Sequence, residues 1–131
     1  MIKVIIADDH PIVRAGMKQV LMDSEDIFVA AEAGDGEGLL KKIKENQFDV
    51  VLLDITMPGM GGLDALKRIR TLKKDLPVLM LSIHDEEQFA LRSLKAGAAG
   101  YLTKGSAPGE LVRAIRQVVR GKLDGLPEWD N

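Results

Sequence analysis

Three four-residue segments, Val4-Ile5-Ile6-Ala7, Val50-Val51-Leu52-Leu53 and Val78-Leu79-Met80-Leu81, are apolar without interruption. A strand with one wet face alternates apolar and polar residues. A strand that does not alternate is covered on both faces, the condition of an interior strand in a parallel sheet. Each run is followed at once by polar residues: Asp8-Asp9 after the first, Asp54 after the second and Ser82 after the third. Side chains at the ends of such strands are held rigidly at the sheet edge where a binding crevice opens.

The segments between these runs read as helices. Lys3 to Ala7 is the first strand, and Pro11 suits a helix start because its missing N–H would be unpaired there. Val13, Met17, Val20 and Leu21 then fall on one helical face. Ile27 to Ala33 forms a second strand, Gly34-Asp35-Gly36 a turn, and Leu39, Leu40 and Ile43 a second helix. Asp49 to Leu53 is the third strand. The loop Met57-Pro58-Gly59-Met60-Gly61-Gly62 leads to a helix carrying Leu63, Leu66 and Ile69.

After the fourth strand, Glu86 to Ala96 fits a helix with Ala90 and Leu94 inward, stopped by Gly97. Ala99 to Thr103 is a short fifth strand. Leu111, Ala114, Ile115, Val118 and Val119 line a fifth helix, whose start is weakened by Gly109. Strand and helix thus alternate five times, which predicts an α/β sandwich: a doubly wound parallel sheet with helices on both faces. The pattern fails after Gly121. Residues 1–121 are expected to form one domain and residues 122–131 a linker.

Composition removes several classes of function. The 131 residues suit one domain, and 46% hydrophobic content suffices for a core that 4% aromatics leave largely aliphatic. The absence of cysteine excludes disulfides and thiolate chemistry, and two histidines make a zinc site a poor fit. No apolar run approaches the roughly 20 residues of a membrane span. Asp8, Asp9 and Arg14 interrupt any signal-peptide core. A cytoplasmic protein without membrane attachment is the expectation. A net charge of −2 leaves no electrostatic footprint for nucleic acid.

The strand ends therefore assemble Asp8, Asp9, Asp54, Ser82, Thr103 and Lys104 at one edge. Three clustered carboxylates repel one another, and a cation resolves that repulsion. Oxygen donors without thiolate suit Mg²⁺, which retains waters and binds one or two carboxylates plus phosphate oxygens. A hydroxyl and an ammonium remain for other phosphate oxygens. The set is built to handle a phosphoryl group, with one carboxylate as nucleophile.

Asp8-Asp9, Leu53-Asp54-Ile55-Thr56-Met57-Pro58, Ser82 and Tyr101-Leu102-Thr103-Lys104 together resemble the receiver domain of two-component response regulators. Asp8 to Gly16 and Lys95 to Leu102 are similar to its NarL/FixJ type, which carries a LuxR-like helix-turn-helix tail. The resemblance implies a flavodoxin-like (βα)5 fold with strand order 2-1-3-4-5, and a phosphorelay switch rather than a turnover enzyme. It implies Asp54 as the phosphoacceptor for a sensor histidine kinase. It also implies Mg²⁺ held by Asp9, Asp54 and the backbone carbonyl of Thr56, with Asp8 acting through water. Lys104 shares the transferred charge, Ser82 and Tyr101 form the switch, and Thr56 and His84 tune the lifetime of the phosphate. The fourth helix, fifth strand and fifth helix are expected to change on activation. That change would control homodimerisation and a DNA-binding output domain beyond residues 122–131.

Competing readings attach to the same residues. Asp8 or Asp9 alone would cap the first helix, and Ser82 or Lys104 alone would be a loop residue. His10 and His84 read as loop residues, Met57, Met60 and Met80 as packing residues, and glycines 59, 61 and 62 as the makers of a tight loop. A stand-alone receiver acting through protein contacts is the nearest alternative function. A flavin-binding electron carrier needs a phosphate cradle where this chain has Asp8-Asp9-His10-Pro11. A Mg²⁺-dependent phosphatase needs a substrate pocket for which no extra element is present.

Overall fold

The computed structural model describes residues 1–83, 87–105 and 108–124. The elements run β1 (Ile2–Ala7), α1 (Pro11–Met22), β2 (Ile27–Ala33), α2 (Gly36–Glu45), β3 (Val50–Asp54), α3 (Gly62–Leu72), β4 (Val78–Ser82), α4 (Glu87–Lys95), β5 (Gly100–Thr103) and α5 (Pro108–Asp124). All strand pairs are parallel, in the order β2-β1-β3-β4-β5. This is the doubly wound order that the receiver-domain resemblance implies.

The uninterrupted runs feed two cores at once, because successive strand residues point to opposite faces. Val4, Ile6, Val50, Leu52, Leu79 and Leu81 meet Leu21 of α1 and Ile115 and Val118 of α5. Ile5, Ala7, Val51, Leu53, Val78 and Met80 meet Leu39 and Ile43 of α2 and Leu66 and Ile69 of α3. Every residue of β3 and β4 is buried, whereas the edge strand β2 leaves Phe28 half exposed. Met57 and Met80 are buried among these aliphatic residues and Met60 packs against them, so the methionines serve as packing. Among the described residues no helix is long and apolar enough to cross a membrane.

Two helices depart from the expectation. In α4 the inward residue is Ser93, wholly buried, while Leu94 is 46% exposed. Phe89, Ser93 and Ala96 share the inward face. Ser93 is tolerated there because its hydroxyl donates to the Phe89 carbonyl at 2.7 Å. Helix α5 does not end at Gly121 but continues to Asp124. Glycine ends a helix when it adopts a positive φ, as Gly97 does at +101° after α4; Gly121 keeps helical backbone.

Gly62 begins α3 against the end of β3. A Cβ there would lie 2.2 Å from the Asp54 carbonyl oxygen and 2.7 Å from Ile55 Cα. Both obstacles are backbone and cannot rotate away, so this glycine is required by close approach. Gly62→Ala is expected to cost about 3 kcal/mol and to displace Asp54. Urea unfolding together with the Asp54 amide shift checks this, and an unchanged midpoint would refute it.

Candidate functional site

The carboxyl edge of the sheet brings together most of the residues singled out in the sequence. Asp54 is the last residue of β3, Ser82 the last of β4, and Asp8 and Asp9 directly follow β1. Asp8, Asp54 and Ser82 are all at most 2% exposed, unusual burial for carboxylates. Register sets Asp54 beside Leu81 and Ser82 beside Thr103. The Lys104 amide donates to the Ser82 carbonyl at 2.7 Å and so extends the β4–β5 ladder into the loop.

Lys104 is the centre of the arrangement. Its Nζ lies 2.6 Å from Asp8 Oδ2 and 3.1 Å from Asp54 Oδ2, with 11% of the side chain exposed. Burial alone would lower its pKa, but the contacts with Asp8 and Asp54 outweigh that and raise it, so it is charged at neutral pH. Burial pushes the Asp54 carboxyl above its ordinary range. The Thr56 amide, which donates to Asp54 Oδ1 at 3.1 Å, and the Lys104 ammonium work against that rise.

A second layer fixes Asp8. Its own amide donates to the Ala33 carbonyl, and Arg14 Nη1 donates to its carbonyl. Arg14 Nε in turn donates to Glu32 Oε1 at 3.2 Å, and Lys18 reaches Glu32 Oε2 at 2.8 Å. The sequence reading did not single out Arg14 or Glu32. They lie 18 positions apart on α1 and β2, and no periodic signal links them. His10, read as a loop residue, stands at this edge, its Nδ1 3.2 Å from Asp8 Oδ1 and 3.0 Å from Asp9 Oδ1. Tyr101 lies on β5 and packs against the α2–α3 core. His84 lies outside the described residues.

The edge is short of donors for its acids. Asp8 Oδ2 and Asp9 Oδ1 are buried and lack an aligned hydrogen-bond donor, although Lys104 Nζ stands close to the first and His10 Nδ1 to the second. Ligand atoms from Asp8, Asp9, His10 and Asp54 all lie within 4.8 Å of one another. Buried oxygens lacking donors and gathered at this spacing fit a small divalent cation that prefers oxygen. With the ammonium and the Ser82 and Thr103 hydroxyls alongside, the edge can accept and neutralise a phosphoryl group.

Comparison with known proteins agrees with this geometry. Residues 4–116 match the model of the response regulator receiver domain. The chain belongs to that family. It is 46% identical over 122 residues to the response regulator UvrY of Escherichia coli K12 and 44% identical over 122 residues to the response regulator GacA of Pseudomonas aeruginosa PAO1. Each alignment covers 93% of this chain but only 56% and 57% of the relative, so the receiver spans little more than half the length of either. A LuxR-family two-component response regulator from Aurantimonas sp. SI85-9A1 superposes with a TM-score of 0.87 at 38% identity, over 91% of this receiver and 85% of that chain. The isolated receiver domain of RcsB from Salmonella enterica serovar Typhimurium, solved with the phosphomimetic BeF3−, gives 0.84 at 28% identity, over 92% and 89%. The NarL/FixJ resemblance and the two-component class are thereby established. Membership of that family does not favour the flavin-carrier or phosphatase readings.

Proposed function

We propose that this receiver takes a phosphoryl group from the phosphohistidine of a sensor histidine kinase onto Asp54. An Asp54 carboxylate oxygen attacks phosphorus, the P–N bond to the donor imidazole breaks, and the imidazole leaves. The observation that carries this reading is the buried Asp54 carboxylate 3.1 Å from the Lys104 ammonium, with ligand oxygens of Asp8 and Asp9 gathered within 4.8 Å of that carboxylate. Asp9, Asp54 and the Thr56 carbonyl would hold Mg²⁺, with Asp8 acting through a water. When bound, Mg²⁺ supplies positive charge to the phosphoryl oxygens. Lys104 adds the second positive charge, and the buried surroundings of Asp54 keep competing water low. Thr56 and His84 tune how long the phosphate survives.

The phosphoryl group adds about −1.5 to −2 charges to a nearly dry site. Ser82, on the neighbouring strand, turns to donate to it, and Tyr101 moves inward into the space released. These changes shift a pre-existing equilibrium of the α4–β5–α5 face. Apolar residues held in solvent on α4 support an interaction role: Leu91 is 49% and Leu94 46% exposed. The switched face would govern homodimerisation. Through residues beyond the receiver it would also govern a DNA-binding output in the cytoplasm, making the whole protein a transcription regulator. Residues 1–121 are the phosphoacceptor unit, with 122–131 leading to that output.

Beryllofluoride with Mg²⁺, followed by amide chemical shifts, tests the switch. Large changes are expected at Asp54, Ser82, Tyr101 and along α4. Changes confined to Asp8 and Asp9 would mean that the anion is not bound at Asp54, or that Ser82 and Tyr101 are not coupled to it.

A further inference from the structure

His10 occupies the N-cap of α1, yet its side chain makes no capping hydrogen bond. Ser, Thr, Asp or Asn would serve that position better. The ring turns instead toward the acids. Its backbone amide donates to Asp8 Oδ1 at 2.9 Å, which fixes the residue, and Nδ1 stands 3.2 Å from Asp8 Oδ1 and 3.0 Å from Asp9 Oδ1. Two neighbouring ligands of an octahedral ion with bonds of about 2.1 Å are themselves about 3 Å apart. His10 Nδ1, 3.0 Å from Asp9 Oδ1, thus has the spacing of one more ligand to an ion held by Asp9. The side chain is 63% exposed, so turning the ring toward an ion carries little burial cost.

We propose that His10 is a specificity-determining donor of this site, its Nδ1 ligating the cation and shifting preference from Mg²⁺ toward divalent ions that accept nitrogen. Mg²⁺ favours oxygen over imidazole, whereas first-row transition ions accept imidazole with a readiness that rises from Mn²⁺ to Ni²⁺. The neutral tautomer protonated at Nε2 presents the Nδ1 lone pair to the gap between the acids. The rival arrangement places the proton on Nδ1, which then only donates to Asp8 and Asp9. The proposal rests on the metal reading above, and the experiment separates the two.

Calorimetric titration of the 131-residue chain with Mg²⁺ and with Ni²⁺ is compared among the natural sequence, His10→Ala and His10→Gln. Glutamine keeps hydrogen bonding to the acids but offers no imidazole nitrogen. Ni²⁺ affinity is expected to fall about tenfold or more in both variants, while Mg²⁺ affinity stays within about threefold. Unchanged Ni²⁺ affinity would overturn the proposal, as would recovery of that affinity in His10→Gln. Parallel loss of both ions would overturn it too, by showing that His10 only positions Asp8. Failure of the natural sequence to bind Mg²⁺ at all would instead sink the metal reading, and the proposal with it.

Discussion

Lys104→Ala is expected to destabilise the metal-free receiver by about 3 kcal/mol, the usual cost of removing one partner from a buried ion pair. The ammonium stands 2.6 Å from Asp8 Oδ2 and 3.1 Å from Asp54 Oδ2, and both carboxylates are nearly dry. Its loss leaves two buried negative charges without the ammonium that contacts both carboxylates. The raised pKa of Lys104 means that its contribution is complete below its ordinary 10.5 and is lost only as pH rises through the higher folded value. The deficit should therefore be full at neutral pH. Divalent cation should repair it, so Mg²⁺ is expected to raise the melting temperature of the variant more than that of the natural sequence. Thermal unfolding with and without Mg²⁺ measures this. A variant as stable as the parent without metal would show that Lys104 is not the internal counter-ion of the site.

Asp54→Asn is expected to abolish phosphoryl uptake while stabilising the metal-free fold. Burial raises the Asp54 pKa above 3.8, so the folded state disfavours its ionised form. Stability from this group is greatest below its ordinary value and falls as pH rises through the folded value. At neutral pH the ionised carboxylate is a net cost. Asparagine keeps an acceptor for the Thr56 amide and removes the charge. A gain of about 1 kcal/mol, or a few degrees in melting temperature, is expected at neutral pH. The gain should shrink as pH falls toward 3.8. A site residue whose removal stabilises the protein is held for function at the expense of the fold.

Much of this was legible in the sequence because burial on both faces leaves an unmistakable mark. The apolar runs ending at Ala7, Leu53 and Leu81 identified β1, β3 and β4 and located the acids at their ends. What escaped depends on contacts between distant segments. Hydropathy ranks leucine above serine and so predicts Leu94 inward, while a single hydrogen bond to the Phe89 carbonyl allows Ser93 to be buried. Gly62 read as loop freedom, although its need comes from the Asp54 carbonyl behind it. The position of Lys104 at the acidic edge was legible, but not its bridging of Asp8 and Asp54. The support of Asp8 by Arg14 and Glu32 left no trace in spacing, because the Arg14 side chain links the Glu32 carboxylate of β2 to the Asp8 backbone carbonyl across the fold.

The central claim is that Asp54 is the phosphoacceptor. Incubation with acetyl phosphate and Mg²⁺, followed by intact mass and peptide mapping, tests it most directly. The expected result is one acid-labile phosphoryl group on Asp54 in the natural sequence and none in Asp54→Asn. A label on any other residue, or uptake by Asp54→Asn equal to that of the parent, would contradict it.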